Sequence, residues 1–237
     1  MTSPIRQRSA RRPWDDYDAY LFDIDGTLLN CSDAVHYFAF CDALSALAGR
    51  PLNLDGVTAH GNTDVGILRD ALRLANVPEE QWRPRLGETR TAMGRFVEKR
   101  AEEFCIAVLP GVERALDHLR SRGALLGVAT GNLERIGRLK LAHCGLLERF
   151  DFGGFSDGYE YRSDVFRGAL DKAYELAGPK ASVCVFGDTP EDVRAARANG
   201  LDIIAIASGI YSYDALQAEA PDLCLHSLQE LVIAADY

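Results

Sequence analysis

The sequence predicts an α/β protein: a doubly wound parallel sheet interrupted near its start by an all-helical insertion. Three observations carry this prediction. Short apolar runs recur along the chain, each followed by a helical pattern. The runs are apolar throughout rather than alternating, so they read as strands covered on both faces. Several of them end in acids, Gly or Thr, the residues expected where such sheets bind ligands.

The elements follow in order. Residues 1–14 carry Arg6, Arg8, Arg11 and Arg12, two prolines and no acid, and read as a disordered basic tail. Ala19 to Phe22 is the first strand. Residues 15–30 and 107–237 form the α/β core, and residues 31–106 form the helical insertion. In the insertion, residues 32–49 repeat apolar side chains at helical spacing (Val35, Phe38, Ala39, Leu44, Leu47), with Ser32 to cap the start and Gly49 to end it. Residues 62–74 repeat the pattern, capped by Asn62 or Thr63, and Pro78 to Ala107 holds one or two more helices. No strand is expected within the insertion.

Leu109-Pro110-Gly111 marks the return to alternation. A helix over 112–121 is stopped by Gly123, and Ala124 to Ala129 is a buried strand followed by a helix to Cys144. Phe150 to Phe155 is a weaker strand with glycines, before a helix over 164–177. Ser182 to Phe186 is a strand followed by a helix to Asn199, Leu201 to Ala207 is another strand, and a short strand lies near 223–225.

Composition narrows the function. A chain of 237 residues with 47% hydrophobic side chains can bury a full α/β core. A net charge of -9 argues against nucleic acid and anionic membrane surfaces as partners. No apolar run is long enough to span a bilayer, and the start of the chain lacks the apolar centre of a secretory signal. The six cysteines form no CxxC pair and read as reduced thiols, which places the protein in the cytoplasm. The oligomeric state is not legible.

Chemistry concentrates at the strand ends. Asp23 and Asp25 lie two residues apart, on one side of an extended segment. Carboxylates this close repel unless a cation or a shared proton relieves them, which suggests a divalent metal. Thr130 ends the second strand and Asp188 the fourth, so a parallel sheet brings all of these to one edge. Each residue also has a plainer reading as a helix cap. In Thr189-Pro190-Glu191-Asp192, Asp192 reads equally as a first-turn capping acid and as a group facing a metal through water.

Together Asp23-Ile24-Asp25-Gly26-Thr27, Thr130-Gly131-Asn132 and Gly187-Asp188-Thr189-Pro190-Glu191-Asp192 resemble the haloacid dehalogenase superfamily, from about residue 17 onward. The resemblance implies a Rossmann-like core with a helical cap. His60-Gly61-Asn62-Thr63-Asp64 resembles the cap segment of its phosphoglycolate phosphatase-like branch. The resemblance further implies a phosphatase acting on a small phosphorylated metabolite, phosphoglycolate-like, through an aspartyl-phosphate. Asp23 is the expected nucleophile and Asp25 the acid and base. Mg2+ is the expected cofactor, held by Asp23, the Asp25 carbonyl and Asp188. Thr130 is expected to hold a phosphoryl oxygen, with Gly131 and Asn132 beside it. His60 and Asp64 are expected near substrate, although turn and capping roles explain them equally.

One departure concerns the lysine that the superfamily supplies before the fourth strand. Arg162 is the expected replacement, with Lys140 as runner-up. Lys140 otherwise reads as a solvated helix residue, so Arg162→Ala is expected to be severe and Lys140→Ala mild. Two other readings stand: a phosphosugar mutase of the same superfamily, which keeps both aspartates, and a non-catalytic binding module or phospho-receiver.

Overall fold

The computed structural model describes residues 12–234. Eight strands and ten α-helices follow in chain order: β1 (Ala19–Phe22), β2 (Leu29–Cys31), α1 (Val35–Ala48), α2 (Asp64–Leu74), α3 (Glu79–Trp82), α4 (Leu86–Lys99), β3 (Ile106–Val108), α5 (Val112–Ser121), β4 (Leu125–Ala129), α6 (Glu134–His143), β5 (Phe152–Gly154), α7 (Arg162–Ala177), β6 (Val183–Gly187), α8 (Pro190–Ala198), β7 (Asp202–Ile206), α9 (Tyr213–Ala218), β8 (Leu223–Leu225) and α10 (Gln229–Ala234).

Six strands form one sheet in the order β5-β4-β1-β6-β7-β8, and every pairing is parallel. The chain fills β1, β4 and β5 in one direction, then crosses back to β6 and fills the other. The strand order therefore reverses between β1 and β6, and the crevice beyond their carboxyl ends is where such sheets bind ligands. Asp23 follows β1 there, and Asp188 follows β6.

Both faces of β1 are covered, as its all-apolar sequence requires. Tyr20 and Phe22 pack with Leu116 and Leu119 of α5, while Ala19 and Leu21 pack with Phe166 and Ala169 of α7. Phe22 stacks on Phe186 of β6, rings 4.7 Å apart and nearly coplanar.

The helices α1 to α4 share an apolar cluster that includes Leu44, Leu68, Trp82 and Val97, and this cluster takes in Leu133 and Ile136 from the start of α6. The insertion therefore packs directly on the segment that follows β4. Thr63 caps α2 by accepting from Gly66 N at 2.8 Å, and Gly49 ends α1 in the left-handed conformation, φ 69°.

Several sequence expectations are corrected. The insertion is flanked by a two-stranded antiparallel ribbon, Leu29–Cys31 against Ile106–Val108. Strands of three residues are too short to show a period, so the pattern hides them. Ser32 does not cap α1: its hydroxyl donates to the Cys105 carbonyl at 3.0 Å, and the cap position is Ala34. Asp33 accepts from Val35 N at 3.0 Å instead. Most of the predicted basic tail, residues 1–11, lies outside the described residues. Its last part is attached to the core: Trp14 stacks on His118, and its carbonyl accepts from the Tyr20 hydroxyl at 3.0 Å.

Trp82 is fully buried at the centre of the insertion's cluster. Trp82→Ala is expected to cost about 3–5 kcal/mol, the usual range for emptying an aromatic site. Urea unfolding followed by circular dichroism checks it; a change under 1 kcal/mol would mean that the cluster collapses around the gap.

Candidate active site

The site is assembled where β1 and β6 end. Asp23 donates its backbone N–H to the Phe186 carbonyl at 2.9 Å, so its buried carboxylate leaves the sheet at the β1–β6 junction. The chain then turns through Gly26, φ 86°, where a Cβ would sit 2.2 Å from Asp188 Oδ2. On its other side Asp188 meets Gly209, where a Cβ would be 1.8 Å from the same oxygen. Two glycines thus make room for this carboxylate, and its only hydrogen-bond donor among the described residues is the Thr27 hydroxyl at 3.3 Å. Burial pushes the Asp188 carboxyl well up, and the neighbouring charges of Asp23 and Asp192 push it further.

Asp23, Asp188 and Asp192 are buried, with carboxylate oxygens within 4.8 Å of one another. Asp192 is already engaged. It completes a capping box with Thr189, whose N–H donates to Oδ2 at 3.0 Å, and its Oδ1 accepts from Arg162 Nε at 2.7 Å. Asp192 thus makes the cap that one sequence reading gave it, and its other oxygen is held by Arg162 while it remains within the acidic cluster of Asp23 and Asp188.

Arg162 is where the expected cation should be. It is buried at the start of α7, and its Nη2 lies 2.7 Å from Asp23 Oδ1 and 2.6 Å from Asp192 Oδ1. These are ion-pair contacts; no N–H of Nη2 is aimed well enough at either oxygen to hydrogen-bond. The guanidinium thus neutralises Asp23 and still has donors to offer a phosphoryl oxygen. Burial pushes the Asp23 carboxyl up to about 6; Arg162 opposes this, and Asp192 and Asp25 add to it.

Asp25 faces a different set of groups. Lys140 Nζ donates to both of its oxygens at 2.8 Å, Asn132 Nδ2 donates at 2.7 Å, and the Cys31 thiol donates at 2.9 Å. Burial works against its ionisation, but Lys140, Cys31 and Asn132 together hold the carboxyl well below the usual range. Lys140 responds in kind: burial alone would lower its pKa, and Asp25 more than reverses that, raising it to about 12. The reading of Lys140 as a solvated helix residue is therefore overturned, since only 4% of it is exposed. Its position on α6 looked like surface because its partners are far away in sequence.

His36 is a site residue that the sequence did not reveal. Lys140 has only hydrogens to give, so His36 Nδ1 accepts at 3.3 Å; Nε2 then carries the ring hydrogen, which Asp64 Oδ2 accepts at 3.1 Å. The same Asp64 oxygen accepts from Leu133 N at 2.8 Å, and Asp64 N donates to the Gly131 carbonyl at 2.7 Å. Asp64 thus joins the insertion to the loop after β4. His36 sits in an ordinary apolar helix pattern, which holds no signal for this contact.

Thr130 is fully buried, and its hydroxyl oxygen accepts from Asn132 N at 3.3 Å and from Asn132 Nδ2 at 2.8 Å. Its own hydrogen remains available to donate into the cavity. Gly131 packs so closely on the insertion that a Cβ would lie 2.2 Å from the Asn62 carbonyl. Asp23, Asp25, Asp188, Thr130, Lys140 and Arg162 line one cavity of about 470 Å³, together with His36 and Asp64 and with His60 exposed at its rim.

The fold, three strand-end acids and two buried cations define a phosphoryl-transfer site in an α/β hydrolase. The family model for haloacid dehalogenase-like hydrolases matches residues 17–200, and the chain belongs to that family. It is 29% identical over 221 residues to the phosphoglycolate phosphatase of Pseudomonas syringae pv. syringae, covering 90% of this chain and 77% of that one. It is 27% identical over 237 residues to the tyrosine-protein kinase PtkA of Mycobacterium tuberculosis, covering 93% and 72%. The structure of CbbY from Rhodobacter sphaeroides in complex with phosphate shares the fold at a TM-score of 0.61 and 23% identity, covering 91% of this chain and 96% of that one. The chain is thus a haloacid dehalogenase-like hydrolase, and phosphoglycolate phosphatases are among its curated relatives. Among the described residues no helix is long and apolar enough to cross a membrane.

Two predictions follow from this charge arrangement. Arg162→Ala and Lys140→Ala are both expected to lower turnover by about 10²–10⁴-fold, the range for removing a group that acts on the transferring proton or charge. Steady-state kinetics on any accepted ester checks this, and a mild Lys140→Ala would return that residue to a structural role. Asp188 is penalised at neutral pH because its folded-state pKa is raised, so neutralising it should stabilise the metal-free protein. Asp188→Asn is expected to raise the melting temperature in chelator at pH 7.5 by about 2–4 °C per kcal/mol relieved.

Proposed function

We propose that the protein is a magnesium-dependent phosphomonoester hydrolase that works through an aspartyl-phosphate on Asp23. The observation that supports this most directly is the opposite treatment of two aspartates on one turn. Asp23 is crowded by acids and answered by Arg162, whereas Asp25 is held by Lys140, Asn132 and Cys31. Paired acids pushed apart in pKa are the usual mark of divided catalytic roles.

The donor set fits a hard divalent cation. Asp23 and Asp188 offer buried carboxylate oxygens close together, and Asp188 has only a long hydrogen bond to satisfy it. Those two side chains and the Asp25 carbonyl would hold Mg2+. When bound, the ion neutralises the phosphoryl oxygens and the nucleophile, so that two anions can approach.

The chain's own groups perform the remaining steps. Arg162 and the Thr130 hydroxyl orient the phosphoryl group by donating to its oxygens. An Asp23 oxygen forms a bond to phosphorus as the ester P–O bond breaks, and the leaving alkoxide takes a proton from Asp25. Lys140 keeps Asp25 ionised at rest, so Asp25 must take up that proton as the anionic substrate arrives and raises its proton affinity. The restored Asp25 carboxylate then removes a proton from water, which attacks phosphorus and frees Asp23. Lys140, Asn132 and Cys31 fix the Asp25 carboxylate for both transfers.

Phosphate release from small monoesters tests the proposal, with magnesium, with chelator and with Asp23→Asn. The expected result is magnesium-dependent release that the variant reduces by more than about 10³-fold. Return of the phosphoryl group to a sugar on addition of a bisphosphate would make the protein a mutase instead. A second test uses pH. In the metal-free protein the Asp23 carboxyl sits at about 6, so below that pH a proton occupies the oxygen a cation needs. Magnesium is therefore expected to raise the melting temperature at pH 7.5 and to lose most of that effect at pH 5. An equal shift at both pH values would remove Asp23 from the ligand set.

A further inference from the structure

The cavity wall above the phosphate position says what kind of alcohol the ester carries. Beside the polar His36, His60, Asn62 and Asp64, the insertion lines the cavity with Tyr37, Phe40, Leu54 and Ile67, and the loop after β7 adds Ile210. Tyr37 and Ile210 line the cavity and yet remain 41% and 62% exposed, so large apolar side chains stand open to water at its mouth. Surfaces of that kind, flanking a concave site, gain by covering apolar ligand area.

Charge points the same way. Among the described residues the only Lys and Arg side chains lining the cavity are Lys140 and Arg162, and both are paired with floor carboxylates. Four aspartates line it: Asp23, Asp25, Asp64 and Asp188. A second anionic group on the substrate would enter an acidic cavity with no arginine or lysine left to meet it. The cavity volume, about 470 Å³, falls in the range that holds ligands of drug size. Glycolate, small and carboxylated, matches neither the size nor the lining.

We propose that the leaving alcohol has a flat aromatic or apolar body and carries no second anionic group. It would lie between Tyr37 of the insertion and Ile210 of the core, with Asn62 and His60 giving polar points at the edge. The proposal rests on the phosphatase reading, and the experiment separates the two. Benzyl phosphate and phosphoglycolate are compared because both leave as primary alkoxides. The methyl ester of phosphoglycolate is included to remove only the carboxylate charge.

The expected result is a kcat/KM for benzyl phosphate about tenfold or more above that for phosphoglycolate, with the neutral methyl ester also favoured over the acid. Tyr37→Ala and Ile210→Ala are expected to raise KM for benzyl phosphate at least about threefold, with little change in kcat. Tyr37→Arg is expected to shift the ratio toward phosphoglycolate by supplying the missing cation. Equal or greater efficiency on phosphoglycolate would overturn the proposal while leaving the phosphatase reading intact. No release from any ester by folded, magnesium-loaded protein would overturn both.

Discussion

Crowding of negative charge at one point of the sheet is the constraint that the rest of the structure answers. Strand order reverses between β1 and β6, and the crevice that results receives Asp23, Asp25, Asp188 and, from the next turn, Asp192. Unrelieved, such a set would protonate or push the loops apart. Two buried cations are distributed unevenly over it. Arg162 bridges Asp23 and Asp192 from α7, and Lys140 takes Asp25 alone from α6. Burial, reinforced by the neighbouring acids, raises the proton affinity of Asp23 and Asp188, whereas Lys140, Cys31 and Asn132 lower that of Asp25. Two acids on one turn thus have different surroundings, the pattern that divided catalytic roles require.

The same arrangement explains why the insertion is more than a cover. His36 on α1 and Asp64 at the start of α2 complete the hydrogen-bond chain that begins at Asp25 and Lys140. Leu133 and Ile136 belong at once to the helix that carries Lys140 and to the apolar cluster of the insertion. Where the insertion sits and how Lys140 is held are therefore coupled through shared packing as well as hydrogen bonds. The floor of the cavity is polar and paired, whereas the insertion and the β7 loop add large apolar side chains that are partly open to water.

Legibility of the sequence varied with the distance over which the deciding contact acts. Strand β1 was plain because four apolar residues followed by acids and glycine are all local signals. Gly49 announced its capping role for the same reason, and the cap of α2 was narrowed to Asn62 or Thr63, of which the structure uses Thr63. Ser32 misled, because a serine before an apolar run has the form of a cap while its hydroxyl is drawn to Cys105, 73 positions away. Lys140 misled in the same way: a lysine within a helix has the form of a solvated residue, and Asp25 lies 115 positions earlier. Arg162 was expected from the sequence as a cation of the site, and its simultaneous grip on Asp23 and Asp192 emerged only from the packing of α7 beside β1 and α8.

By itself, then, the sequence determined the class of fold, the edge at which chemistry happens and the identity of the acids that meet there. Each of those depends on period, on residue type and on the rule that parallel strands present their carboxyl ends together. Tertiary structure alone decided which cation answers which carboxylate, that His36 belongs to the site, and that the cavity gathers large apolar side chains with, among the described residues, no unpaired Lys or Arg. These are properties of side chains brought together across the whole chain. Electrostatic pairing and cavity lining fall off within a few ångströms in space, and no local pattern in the sequence records them.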